Sequence, residues 1–132
     1  HTLGHVCYYL PDLKFLFCGD TLFSFGCGRL FEGTPQMMMT SLGKLRELPR
    51  DTTFFCAHEY TLDNLKFARS LEPASQDLET MEISLTQLRE QGYTTVPALL
   101  EREITLNPFL RWDDSNLRKS LKMTSAPDVD VF

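Results

Sequence analysis

The chain has 132 residues, 42% hydrophobic and 11% aromatic, and its 13 Lys and Arg against 18 Asp and Glu give a formal charge of −5. That length supports one real core with at most a smaller appended domain, and the acidic balance removes any general electrostatic case for nucleic acid or an anionic membrane. No apolar run approaches the ~20 residues of a membrane span, so the composition is that of a soluble globular protein.

The sequence opens on His1 without a charged leader or apolar signal core, which predicts a processed product or a fragment. His5–Leu10 and Lys14–Cys18 read as a hairpin turning through Pro11 and Asp12, and Gly19-Asp20-Thr21 breaks the second strand. Phe25 to Thr34 (FGCGRLFEGT) holds three glycines, which allow close approach of a ligand. Thr34-Pro35 has the form of a helix N-cap followed by proline at the first helical position. Met37, Met38, Leu42, Leu45 and Leu48 supply the apolar stripe of that helix, in which the methionine run is core filler. Thr52–Cys56 is a further strand that ends at His58.

After Tyr60 the texture becomes helical. Leu62, Leu65, Phe67, Ala68 and Leu71 recur at helical intervals, then Leu78, Met81, Leu85 and Leu88 at steps of 3, 4 and 3. Gly92 ends that helix and Val96-Pro97 opens a short segment toward Leu99 and Leu100. Asn107-Pro108 marks a turn, and Asp114 to Leu121 forms one more short helix. The terminal SAPDVDVF stops without a closing cap, which predicts truncation at this end too.

Four cysteines, Cys7, Cys18, Cys27 and Cys56, show no CxxC spacing. Three lie in strand-like runs, where cysteine acts as a small buried hydrophobe, and reduced thiols fit a cytosolic-type compartment. Cys27, between two glycines, is the one placed to line a site.

The chemistry concentrates in His1 of HTLGH, Asp20 of CGDTLF and His58 of CAHEY, each beside a turn at a strand end. Two imidazoles and a carboxylate held this way suit a borderline cation such as zinc, with room left for water. Singly, each histidine is more simply a packed or solvent-facing residue, and the set is stronger than its members. His5, which begins a strand, fits better as a hydrogen-bonding support for the ligands. Arg29, in the glycine loop, is a candidate anion contact.

Taken together, HTLGH, CGDTLF, GCGRLFEGT, CAHEYTLDNLKFA and NPFLR resemble, in order, the pattern of glyoxalase II (hydroxyacylglutathione hydrolase), of the metallo-β-lactamase superfamily. The resemblance runs from His1 to about Arg111. It implies an α/β (α+β) fold: the second half of an αββα sandwich over 1–60, followed by a helical, substrate-covering domain over 61–132 that ends early. It also implies hydrolysis of S-D-lactoylglutathione to D-lactate and glutathione with two divalent metal ions, zinc foremost, iron or manganese as alternatives. By the resemblance, His1 and His58 each ligate one metal and Asp20 bridges both, while Arg29, Phe31 and Tyr60 fall at glutathione-contacting positions. Phe31 stands where some relatives have tyrosine, so a hydroxyl contact is lost there. The partner implied is a small glutathione thioester, and the protein is expected to be a cytoplasmic monomer, the mitochondrial matrix being the alternative compartment.

The H-x-H-x-D-H motif that supplies the family's remaining ligands is not in these residues, which contain only three histidines. Basic residues that hold the glycine carboxylate of glutathione are also missing, although Arg118, Lys119 and Lys122 stand as candidate substitutes. The expectation is therefore a chain that is inactive alone, binds metal weakly and exposes the apolar sheet face a partner sheet would bury. Two alternatives stay open. One is a persulfide dioxygenase of the same fold, against which LFEGT and HEYT argue; the other is a non-catalytic glutathione-binding remnant.

Overall fold

The computed structural model describes residues 1–132 throughout. Strand β1 (Tyr8–Leu10) pairs antiparallel with β2 (Phe15–Gly19), with Tyr9 opposite Leu16. The hairpin is the predicted one, but its first strand begins at Tyr8 instead of His5. The His5 imidazole is tied to Asp20 and Thr21 rather than lying in the ladder. At the far end of β2, Gly19 takes φ +50°, a conformation that costs an L side chain energy but not glycine, and this turns the chain into Asp20.

A two-stranded hairpin follows, β3 (Leu22–Phe23) with β4 (Gly26–Cys27). Helix α1 (Pro35–Arg46) then begins where predicted: the Thr34 hydroxyl accepts the Met37 N–H, Pro35 occupies the first turn, and Lys44 and Arg46 sit favourably in the last. The helix is the crossover that lets β5 (Thr53–Cys56) run parallel to β2, with Leu16 opposite Phe54. Met38, Leu42 and Leu45 of α1 cover the inward side chains of the sheet, Leu16, Cys18 and Phe54. Met37 of the expected stripe is instead half-exposed, because it lies one position off the buried i, i+4, i+7 row.

Two longer helices come next, α2 (Thr61–Leu71) and α3 (Gln76–Glu90), the second capped by Ser75 and ended at Gly92. They enclose a second, smaller core of Phe25, Leu65, Ala68, Leu78 and Leu85. Phe67, read as part of the apolar stripe, is 47% exposed and stacks at 5.9 Å on Phe109.

The helical region then returns to the sheet. Strand β6 (Ala98–Leu99) pairs antiparallel with β5, and α4 (Leu100–Leu106) follows it directly. A 3-10 turn (Pro108–Leu110) is capped by the Asn107 side chain, and α5 (Ser115–Ser120) by Asp114. Helix α6 (Asp128–Val131) closes the chain. Leu100, Leu110 and Trp112 share the main core with Leu16, Leu42 and Phe54, and Arg46 of α1 grips Asp113 through two bonds of 3.0 and 2.6 Å. The architecture is the α/β fold with a C-terminal helical part that the sequence predicts, with the difference that β6, inside the stretch read as helical, adds a strand to a mixed sheet. All four cysteines are free.

Candidate metal centre

Strands β2 and β5 are parallel neighbours, so their C-terminal ends deliver Asp20 and His58 to the same edge of the sheet. His58 Nε2 lies 3.2 Å from Asp20 Oδ1, and His1 Nε2 lies 3.8 Å from Asp20 Oδ2. One imidazole thus stands beside each oxygen of a single carboxylate. The three predicted residues converge, although the side chains of the molecule form no cluster of three or more His, Cys, Asp or Glu compact enough to enclose a cation.

Each donor is oriented from behind. His1 Nδ1 is 3.1 Å from the Arg29 carbonyl oxygen, so a proton on Nδ1 donates there and leaves the Nε2 lone pair facing Asp20. The His58 ring stacks on Tyr60 at 4.9 Å and leans on Phe23 at 6.0 Å. His5 uses both ring nitrogens inside the protein. Its Nε2 accepts the Asp20 backbone N–H at 3.0 Å, which leaves Nδ1 to donate to the Thr21 hydroxyl at 3.1 Å. His5 is therefore the pedestal of Asp20 and has no donor to spare.

Gly28 explains one of the three loop glycines. A Cβ there would lie 1.8 Å from the Asp20 carbonyl oxygen, so only glycine allows the loop to press against the turn that carries Asp20. The close approach made at this position is to the protein's own backbone.

The donors open onto a cleft of about 900 Å³. Its lining includes the polar residues His1, Asp20, His58, Arg29 and Tyr60 and the apolar residues Leu30, Met38, Phe109 and Phe132. Phe31, also on the rim, sets its ring edge-to-face with His1 at 4.8 Å. All six residues singled out from sequence thus line one cleft. Phe23, Asn64, Phe109, Val129 and Phe132 line it too without having been singled out, since each reads in sequence as an ordinary helix, turn or terminal residue. Cys27 is on the wall as expected, and burial pushes its thiol up to about 12, so it is a neutral wall group at physiological pH.

The basic residues near the C-terminus do not reach the cleft. Arg118 donates to the Trp112, Met123 and Ala126 carbonyls and pairs with Asp128, which commits it to closing the last turns. Lys119 and Lys122 are exposed elsewhere. This corrects the expectation that they substitute for carboxylate-binding residues.

Glu59, next to His58, anchors its loop on the other side. The Thr95 backbone N–H donates to its carboxylate at 2.9 Å, and the Thr95 hydroxyl bonds it as well. Burial alone would raise the Glu59 pKa, but these bonds more than reverse that and hold it below the usual carboxylate range.

Residues 1–58 match the sequence profile of the metallo-beta-lactamase superfamily, and residues 59–132 match that of the hydroxyacylglutathione hydrolase C-terminus. Among curated relatives, the hydroxyacylglutathione hydrolase of Bartonella henselae is 51% identical over all of this chain and 52% of its own length. That of Synechococcus sp. is 54% identical, again over all of this chain and 52% of its own length, and that of Yersinia pestis is 50% identical over all of this chain and 53% of its own. The chain thus spans about half the length of the curated relatives it matches. Membership of the metallo-beta-lactamase superfamily implies use of divalent metal. On these matches the chain belongs to the hydroxyacylglutathione hydrolase (glyoxalase II) family, to whose C-terminal part it corresponds.

Proposed function

We propose that these residues form the Asp20 side of a dimetal thioester hydrolase site that converts S-D-lactoylglutathione to D-lactate and glutathione. The observation that carries this reading is the placement of His58 and His1 beside the two oxygens of Asp20, at 3.2 and 3.8 Å, in the lining of the cleft. A carboxylate has two donor oxygens and each imidazole one free nitrogen, so His1, Asp20 and His58 would hold divalent metal, zinc foremost. When bound, a pair of such cations activates water at neutral pH and polarises the thioester carbonyl.

The protein's own side chains do the rest. His5 holds the Asp20 amide and so fixes the direction of the carboxylate, and the Arg29 carbonyl fixes the tautomer of His1. Tyr60 stacks on the His58 ring and lines the cleft, as do Arg29 and Phe31. Arg29 supplies positive charge for a glutathione carboxylate, and the phenyl group of Phe31 packs without donating a hydrogen bond. The site is a half-set: three protein donors for two cations leave positions that other residues must fill, so these 132 residues alone bind metal weakly and turn over little thioester. In this reading the protein with its bare sheet face covered acts as a monomer in the cytoplasm or the mitochondrial matrix.

The test is a chimera in which this chain replaces the 132 matching residues of the Bartonella henselae relative. The chimera is expected to hydrolyse S-D-lactoylglutathione, and Asp20→Asn within it to lose at least ~100-fold in kcat. A chimera that folds and loads metal but leaves the thioester intact would overturn the proposal.

A further inference from the structure

Glu103 has four hydrogen-bond partners and lies outside the lining of the cleft. It lies on α4 with no exposed surface. Its carboxylate accepts the Phe25 N–H at 2.7 Å, the Ser24 hydroxyl at 3.2 Å, Arg102 Nε at 3.0 Å and Asn107 Nδ2 at 3.2 Å. Just past the end of α4, at its C-cap, the same Asn107 amide donates to the Phe23 and Gly26 carbonyls at 3.1 and 3.0 Å. One side chain of α4 and one at its C-cap therefore satisfy four consecutive residues, Phe23 to Gly26, of the turn between β3 and β4.

A buried carboxylate is costly to desolvate and is retained only where donors surround it. Here two of the donors, the Ser24 hydroxyl and the Phe25 N–H, belong to the turn, which Asn64 of α2 also holds by donating to the Ser24 carbonyl at 3.0 Å. Phe25 sits at φ +57°, a conformation unfavourable for a bulky side chain, with Arg102 over its ring at 4.9 Å. The turn leads in two directions to the donors of the metal centre. On its N-terminal side, Phe23 packs against Tyr60 at 5.3 Å and His58 at 6.0 Å. On its C-terminal side, β4 runs into Gly28, whose N–H donates to the Thr21 carbonyl at 3.2 Å beside Asp20.

We infer that Glu103, with Asn107, is a positioning unit that sets the His58 ring and the Asp20 turn through the β3–β4 hairpin, so that the helical region braces the metal centre from behind. The inference deepens the metal-centre reading given above, and for the Zn²⁺ readout it rests on that reading. Such supports act through geometry, and their removal in metal sites commonly weakens metal binding by about 10–100-fold.

The experiment compares the unaltered chain with Glu103→Gln, which keeps shape and one carbonyl-type acceptor, and with Met81→Ala, which loosens α3 away from the cleft. Two readouts are followed: the ¹H–¹³C signals of the His58 ring and the dissociation constant for Zn²⁺ alone. Glu103→Gln is expected to move the ring signals and weaken Zn²⁺ binding about tenfold, while Met81→Ala lowers thermal stability and moves neither. Glu103→Gln that loses stability yet leaves both readouts in place overturns the inference, since Glu103 would then be only structural. Should the unaltered chain bind no Zn²⁺, the metal reading falls while the His58 signals still decide the role of Glu103. Where Glu103→Gln does not fold, amide exchange in the unaltered chain decides. A Phe25 amide as protected as those of α4 supports the brace, and one exchanging as fast as exposed Gly4 overturns it.

Discussion

Phe54 and Phe55 are neighbours on one strand, identical in side chain, and they face opposite fates. Phe54 points into the main core with no exposed surface. Phe55 points the other way, stacked on Phe17 at 4.9 Å and edge-on to Phe15 at 5.2 Å. The alternation repeats across the ladder: Leu16 and Cys18 are fully buried, while Tyr8 is 66% and Phe17 42% exposed. One face of the sheet is covered by α1 and the returning helical region, whereas the other carries an aromatic row with nothing on it. Strands that are apolar on both faces belong to sheets covered on both faces, so the covered face reports what holds this chain together and the bare face reports a second layer it is built to meet.

The largest effect should come from breaking that symmetry at its clearest pair. Phe54→Ala is expected to cost about 3–5 kcal/mol through lost burial and the cavity left behind. Phe55→Ala should cost about 1 kcal/mol or less in the isolated chain, because its ring leaves only part of the solvent on folding. Urea unfolding followed by far-UV circular dichroism measures both. Equal losses would mean that the second face is covered in solution.

That possibility has its own readout. An apolar aromatic row on a sheet drives association between copies, so the unaltered chain should elute from size exclusion as a concentration-dependent mixture. Phe17→Lys should shift it toward the single chain while leaving the urea midpoint within roughly 0.5 kcal/mol, as for an ordinary surface substitution. A chain that stays monomeric at high concentration would contradict this reading of the bare face.

How much of this could be read in the sequence depends on which residues signal locally. The hairpin, the Thr34-Pro35 helix start and the strand ending at His58 are each carried by a few adjacent residues, and each lies within a few residues of its expected place. His1, Asp20 and His58 stood out in the sequence as donor types beside turns at strand ends, whereas the parallel pairing of β2 with β5 that brings Asp20 and His58 together is seen only in the structure. Strand β6 was not legible, because two residues, Ala98 and Leu99, carry no periodicity. The role of Glu103 was hidden for a different reason. In LEREITLN it resembles any surface acid, and only its alignment with Leu100 and Asn107, at steps of three and four, puts it on the inward face. Arg118 misled in the opposite sense, since a basic residue near a chain end looks free until its bonds to Trp112, Met123 and Ala126 are seen.

Metal offers a gentler probe, because it acts where the two faces meet the strand ends. If His1, Asp20 and His58 bind a cation in the folded chain only, Zn²⁺ at a hundredfold over its dissociation constant should raise stability by about 2.7 kcal/mol. Asp20→Asn should abolish most of that gain. Phe55→Ala should keep it, since the bare face does not touch the donors, and a loss there would show that the two regions are coupled. Thermal melts with and without Zn²⁺ give the answer.

The smallest expected effect is that of pH, which acts off the sheet and so leaves the two faces to be compared on equal terms. The bond from Arg46 holds Asp113 below the usual carboxylate range; for Asp114 burial works the other way, but the Leu117 N–H and Arg111 outweigh it. Glu59 is lowered likewise. A group more acidic in the folded state adds stability above its unfolded value, about 4, and loses it as pH falls through the folded value. Glu103 has the opposite sign: burial raises it despite Arg102 and the Phe25 N–H, so its contribution is present below the ordinary glutamate value and is lost as pH rises. With Asp51, which the bond to Lys14 also lowers, four groups against one predict that the urea midpoint falls as pH drops below ~4. Glu103→Gln, freed of the opposing contribution, should show a steeper rise in stability above that point. Phe54→Ala and Phe55→Ala should instead shift the whole profile without changing its slope, because neither ring touches a titrating carboxylate. A Phe55→Ala profile of altered slope would mean that the bare face is linked to the ionised groups by contacts these residues do not make.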